Sequence, residues 1–263
     1  MNEAHINVRA SDFSDGTTVI SAVKNRSEPL RYTLASWLLQ KSVDRIILVD
    51  WDSSTPLIYS LAGYEMGLWP NDKVTIVRVE NQPTWNLPKA INCGMKLVET
   101  SVTLKLDADV VIVDVLDDLN LAVDGAFFTT YGFKPPRTSD EVHLFGSVAF
   151  ATYDFWRIGG YDERFSTYGY EDDNFYSRLQ AAGVGLTCFK ENTMFHLPHS
   201  DASRTAHQNV KDGLRKSIAR NRKLSRKRST WTWYSPRLQY ELLARADDDR
   251  YFVVREQPSR SNC

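Results

Sequence analysis

Four short, β-branched apolar runs in the first 113 residues constrain this chain more than any other feature. Thr17–Val23 (TTVISAV), Arg45–Val49 (RIILV), Val74–Val79 (VTIVRV) and Val102–Leu106 (VTLKL) each read as a strand buried on both faces. Helical patterns lie between them. A Pro-started stretch over Glu28–Gln40 puts Leu30, Leu34, Trp37 and Leu38 on one face, and Pro88 opens a second helix that aligns Ile91, Met95 and Val98. Strand and helix alternating at this spacing imply right-handed crossovers and a mostly parallel sheet, an α/β fold. Such a sheet binds ligands beyond the carboxyl ends of its strands. Three polar clusters lie there: Lys24–Arg26, Asp50–Ser54 and Asp107–Asp109.

The second half has a different texture. Gly125–Tyr131 and Gly146–Thr152 read as strands with an exposed Lys134–Arg137 loop between them. A Gly159-Gly160 turn then leads through an aromatic, acidic segment into a helix over Glu171–Ala182, with Phe175, Leu179 and Ala182 on one stripe. Arg204–Arg228 carries ten Lys/Arg and one acid, Asp212. No clear linker interrupts residues 1–230, so one domain followed by a C-terminal extension, 231–263, is the simplest organisation.

Composition excludes several classes. With 42% hydrophobic and 25% charged residues the chain is too apolar to be disordered, and a net charge of −1 supplies no global field for nucleic acid. No stretch approaches the ~18 uncharged apolar residues of a membrane span. The first residues, MNEAHINVRASDFSDG, lack a basic flank followed by an apolar core, so no signal peptide is expected. Three cysteines, none in a CxxC pair, suit reduced thiols and a cytoplasmic location.

Two clusters carry candidate chemistry. Asp107-Ala108-Asp109 follows one apolar strand and precedes another, where carboxylates are costly unless paired. Their hard oxygens suit Mg²⁺ or Mn²⁺, which keep coordination positions open for diphosphate; the bland alternative is a solvated turn. Glu171-Asp172-Asp173 begins a helix, where acids commonly satisfy free amides. Mutual repulsion raises their proton affinity and the helix N-terminus lowers it, and the sequence leaves that balance open.

The runs TTVISAVKNR, IILVDWDSS, PKAINCGMK and LKLDADVVI, in this order, resemble the donor half of nucleotide-sugar glycosyltransferases of the GT-A fold. The stretch FGSVAFATYDFWRIGGYDERFSTYGYEDDNFYSRLQAAG is similar to the acceptor half of β-1,4-galactosyltransferases, chondroitin-polymerase-type enzymes and related bacterial transferases. The resemblance covers roughly residues 17 to 200, dividing the domain into a nucleotide-sugar half (17–113), an acceptor half (114–203) and a basic segment (204–230).

This resemblance implies a metal-dependent inverting transferase that uses Mn²⁺ or Mg²⁺ and moves a hexose or N-acetylhexosamine from a UDP-sugar to a glycan or lipid-linked glycan. It implies that Asp172 is the general base. It gives Asp50 to the uracil or ribose, and sets Ala22, Lys24, Arg26, Lys89 and Asn92 around the donor. Asp107 would hold the ribose or a metal-bound water, and Asp109 the metal itself. Metal-dependent relatives add a histidine after the acceptor helix, here His196 with His199 as second choice; the Met-x-x-His spacing of the galactosyltransferases fails, because Leu197 lies three after Met194. His5, His143 and His207 have no such context. Tyr168, Tyr170, Glu171 and Asp173 are expected on the acceptor side. Tyr170 stands where relatives carry glycine, which bears on acceptor identity. Trp85 and Trp156 are further candidates to stack on sugar rings.

The basic run is open to three readings: a solvated helix face, a segment closing over the diphosphate, or a peripheral contact with an anionic membrane. Two rivals to the leading reading stand beside it, a retaining transferase on the same fold and a noncatalytic nucleotide-sugar or carbohydrate-binding protein.

Overall fold

The central strand of the molecule, β1 (Ser14–Val23), is buried along its last seven residues, as its unbroken apolar and β-branched run requires. In the computed structural model, which describes residues 8–63, 67–114, 116, 125–131, 134–137, 140–199, 213–231, 240–246 and 249–257, β1 pairs in parallel with β2 (Arg45–Asp50) on one side and β4 (Thr100–Lys105) on the other. β3 (Val74–Glu80) adds in parallel beyond β2. The order β3-β2-β1-β4 reverses direction at β1, and a crevice opens there at the carboxyl ends of β1 and β4.

Side chains alternate across β1. Val19 and Val23 join Leu30, Leu34 and Trp37 of α1 (Ser27–Leu38) on one face. Ile20 and Ala22 face the other core with Ile91 of α3 (Leu87–Gly94), Phe155 of α4 (Thr152–Arg157) and Phe175 of α5 (Glu171–Ala181). A short helix, α2 (Leu57–Leu61), adds Leu57 and Leu61 to the core on the α1 face.

Past β4 the sheet becomes mixed. β7 (Val148–Ala151) runs antiparallel to β4, and β6 (Ala126–Thr129) antiparallel to β7; β8 (Gly185–Cys188) pairs in parallel with β6. Separately, β5 (Val110–Ile112) and β9 (Met194–His196) form a two-stranded antiparallel ribbon. The basic run supplies α6 (Leu214–Arg226); its residues 204–212 lie outside the described residues.

Beyond residue 231, two described stretches are built into the sheet. β10 (Tyr240–Ala246) and β11 (Tyr251–Glu256) form an antiparallel pair, and β11 adds in parallel to β3, completing a nine-stranded sheet. Among the described residues no helix is long and apolar enough to cross a membrane. Cys93 and Cys188 are free thiols.

Candidate active site

The Asp107-Ala108-Asp109 turn is shaped by α1. The Thr33 hydroxyl donates to the Ala108 carbonyl (2.9 Å) and the Trp37 indole to the Val110 carbonyl (2.8 Å). The β5–β9 ribbon then sets Val110 opposite His196, and the Leu197 N–H donates to the Asp109 carbonyl (2.8 Å). These bonds draw the histidine segment, distant in sequence, against the acidic turn. His196 Nε2 lies 3.6 Å from Asp109 Oδ1 and His199 Nε2 3.1 Å from Asp109 Oδ2. One carboxylate and two imidazoles thus converge with their ligand atoms within 4.8 Å of one another. That donor set suits a divalent transition-type cation, and a cationic group already lies beside it: Arg26 is 3.2 Å from Asp109 Oδ2 and 3.3 Å from His199 Nε2. Burial and the neighbouring Asp107 charge raise the proton affinity of Asp109, even with Arg26 and His199 beside it.

The second acidic cluster reaches the cavity from the other half. Gly159 and Gly160 take φ of 81° and 68°, and a Cβ on Gly160 would come within 2.8 Å of Asn92 Oδ1, so only glycine suits this turn. Arg178 of α5, fully buried, donates to the carbonyls of Ile158 (2.9 Å) and Gly160 (2.5 Å). Asn92 bonds the Tyr161 backbone at both its N–H and its carbonyl, each at 2.9 Å. Tyr161, stacked on Phe175 at 4.3 Å, then donates its hydroxyl to Asp172 Oδ1 (2.8 Å). Burial raises Asp172 to about 6, although the Lys105 ammonium and this hydroxyl hold it down. Burial and the adjacent Asp172 charge push Glu171 to about 8. Here desolvation outweighs the helix N-terminus.

Lys105 links the two clusters. Its side chain is wholly buried, with Nζ 3.0 Å from Asp107 Oδ1 and 3.5 Å from Asp172 Oδ1. Burial raises the proton affinity of Asp107, but the charge and hydrogen bond of Lys105, together with His196 and Arg26, outweigh it and hold the carboxyl below its ordinary value. Gly146 makes room for this meeting: a Cβ there would approach Asp107 Oδ2 at 2.8 Å and Lys105 Nζ at 2.9 Å.

A single cavity of about 330 Å³ collects these groups. Ala22, Lys24, Arg26, Asp107 and Asp109 line it from the donor side. Tyr168, Tyr170, Glu171, Asp172 and Asp173 line it from α5 and the preceding loop, and His196 and His199 close one end. Three residues expected around the donor are not among its walls. Asp50 is fully buried; its oxygens accept from the N–H groups of Ser53 (2.9 Å) and Leu57 (3.1 Å) and pair with Arg78 (2.8 Å). Lys89 pairs with Glu256 of β11 (2.8 Å), and Asn92 is spent on the Tyr161 backbone and on Glu163 (2.8 Å). Lys24 reaches the cavity, but its ammonium donates to the carbonyls of Trp51, Asp52 and Gln82, so it braces the loops rather than offering a free charge. His143, without context in the sequence, lines the cavity and stacks on His196 at 4.9 Å. Lys105 was also missed; its only sequence signal is a lysine inside an otherwise apolar strand. Of the tryptophans, Trp85 lines the cavity and Trp156 does not.

A mostly parallel sheet that reverses order at β1, with an acidic turn after β4 and a second acidic cluster across one cavity, defines a GT-A-type glycosyltransferase fold. Comparison with known proteins agrees. Residues 129–200 match a family described as the N-terminal domain of galactosyltransferase. The catalytic domain of Drosophila β-1,4-galactosyltransferase 7, solved with xylobiose, superposes with a TM-score of 0.57 at 14% identity over 92% of this chain and 93% of that one. A point variant of the same enzyme, solved with manganese, UDP-Gal and xylobiose, gives 0.55 at 15% identity over 92% of each chain. TarS of S. aureus gives 0.55 at 14% identity over 70% of this chain and 37% of its own. At these identities the likeness is one of fold. A validoxylamine A glucosyltransferase of Streptomyces hygroscopicus is 39% identical over 64 residues, 24% of this chain and 14% of that protein's length.

Proposed function

We propose that this chain is a metal-dependent inverting glycosyltransferase that moves a hexose or N-acetylhexosamine from a UDP-sugar to a hydroxyl of a glycan acceptor. The observation that carries this reading is that Asp109 and Asp172, from the two halves of the chain, line one cavity. The galactosyltransferase-type segment at 129–200 and the UDP-Gal, manganese and xylobiose of a structural neighbour support the choice of substrates.

Asp109, His196 and His199 would hold Mn²⁺ or Mg²⁺, whose positive charge favours departure of the diphosphate. Arg26, beside Asp109 and His199 at the donor end, adds a second cation for that leaving group. Asp172 acts at the other face of the sugar. With a pKa of about 6 its carboxylate is ionised at neutral pH yet basic enough to accept a proton. The acceptor hydroxyl attacks the anomeric carbon, its proton passes to Asp172, and the carbon–oxygen bond to UDP breaks on the opposite side. Tyr161 holds Asp172 Oδ1 by its hydroxyl, leaving Oδ2 for the acceptor. Tyr168 and Tyr170 offer aromatic faces to sugar rings.

The test is release of UDP from a panel of UDP-sugars with and without Mn²⁺, followed by NMR of the transfer product. A β-linkage from an α-configured donor is expected. Retention of configuration, or no metal-stimulated release from any donor, overturns the reading.

A further inference from the structure

A second cavity, about 660 Å³, opens beside the first. Tyr170 and Asp173 line both, so the two spaces meet there. Its other walls are Ser177 and Gln180 on α5, and Arg226, Arg228 and Trp231 at and beyond the end of α6. Its size suits a few sugar rings.

Three features make this more than a charged surface. First, α6 is locked in place by a polar seam. Ser217, Asn221 and Ser225 recur every four residues and are buried; Ser217 bonds the Thr167 hydroxyl, and the Asn221 amide donates to the carbonyls of Thr167 (3.0 Å) and Gly169 (3.0 Å). The helix is therefore fastened to the loop that carries Tyr168 and Tyr170. Second, the groove has a fixed aromatic platform. The Trp231 indole donates to the Ser225 carbonyl (2.6 Å), and the Arg228 guanidinium lies 5.7 Å from its ring centroid. Third, Tyr170 holds a left-handed backbone, φ 72°, at the junction of the two cavities. A tyrosine there carries backbone strain that glycine would avoid, and it lines both cavities.

The electrostatics select the ligand. Residues 213–231 hold eight Lys/Arg and no acid. Within the groove Asp173 offsets part of the charge of Arg226, while Arg228 remains beside the indole. Aromatic faces next to guanidinium groups fit sugar rings that carry anionic oxygens. We infer that this groove is a distal acceptor subsite for an anionic oligosaccharide, whose carboxylate or phosphodiester groups meet Arg226 and Arg228 while its rings lie on Trp231 and Tyr170. This rests on the transferase reading above and names the acceptor class for that site.

Direct binding by calorimetry tests it without turnover. The probes are a glucuronate-containing tetrasaccharide, its carboxyl-reduced neutral counterpart and a short glycerol-phosphate oligomer. The protein should bind at least one anionic probe about tenfold more tightly than the neutral one, the scale of two solvent-facing charge-assisted contacts. The preference should shrink between about 0.02 M and about 0.3 M salt as charges are screened. Arg226→Ala with Arg228→Ala should erase it. Lys216→Ala with Lys223→Ala removes the same charge from α6 outside the groove and should keep it. Trp231→Ala should weaken neutral and charged sugar probes alike, by about fivefold for a lost stacking face. Equal binding of all three probes, or equal loss of preference in the two double variants, overturns the inference. UDP and Mn²⁺ binding, measured alongside, separates the two claims. If it persists while the anionic preference is absent, only the groove assignment falls; if it is absent while the preference persists, the transferase reading falls.

Discussion

The turn after β4 and the start of α5 each bring carboxylates to the same cavity, but their surroundings differ. Asp107 and Asp109 are met by Lys105, Arg26 and two imidazoles. Glu171 and Asp172 are half-buried, Asp172 bonded to the Tyr161 hydroxyl, with Lys105 as the shared cation 3.5 Å from Asp172. The first cluster is a place for positive charge. Asp109 there also has raised proton affinity, while in the second cluster Glu171 is pushed up to about 8 and Asp172 to about 6. On the proposed mechanism, identical functional groups divide into binding and proton transfer through what lies around them.

Four substitutions probe that division, starting with the strongest. Asp172→Asn keeps shape and removes the proposed base, so turnover should fall about 10³-fold, ~4 kcal/mol in the barrier, with UDP affinity unchanged within about threefold. Steady-state rates and calorimetry check both halves of this; an equal loss of UDP binding would erase the distinction between the clusters. Lys105→Met leaves Asp107 and Asp172 facing each other without their ammonium. Breaking a buried pair in this way should cost about 3 kcal/mol of stability, read as a drop in the thermal midpoint.

The same variant sharpens the pH argument. On the proposed mechanism Asp172 acts as its carboxylate, so turnover should climb as pH rises through about 6 and level off above it. Lys105 stabilises the ionised form, so without it the acid limb should move to higher pH. A limb that stays in place would show that Lys105 is structural alone. Asp109→Ala should lower Mn²⁺-dependent UDP affinity by about 100-fold, ~2.7 kcal/mol, while UDP binding without metal changes little. Undiminished affinity would remove Asp109 from the metal set.

Glu171→Gln is the mildest. Glu171 is raised from 4.5 to about 8, so the folded state carries an extra proton between those values and stability declines as pH rises across that window. At pH 7 the native group is largely neutral, and the amide should change stability by less than about 1 kcal/mol. Chemical denaturation at several pH values should find the decline flattened in the variant.

Much of the donor half was legible because its signals are local. The four apolar runs became β1 to β4 with small shifts at their ends, and the stripes on α1, α3 and α5 face the cores as their spacing implied. The pairing of β11 with β3 was not legible; Tyr251–Glu256 gains its strand from an open sheet edge far away in sequence. That pairing also delivers Glu256 to Lys89, drawing a residue expected at the donor into an ion pair. Asp50 follows the same pattern, its carboxylate taken up by Ser53, Leu57 and Arg78.

By itself the sequence determined the α/β class and the two acidic segments, because hydrophobic period and residue type are properties of a few neighbouring positions. The resemblance already set His196 and His199 beside Asp109, whereas the tertiary structure alone decided that His143 enters the cavity and that Lys105 stands between Asp107 and Asp172. Those outcomes depend on strand pairing and desolvation, which gather segments remote along the chain, and a carboxylate's charge is set by that company.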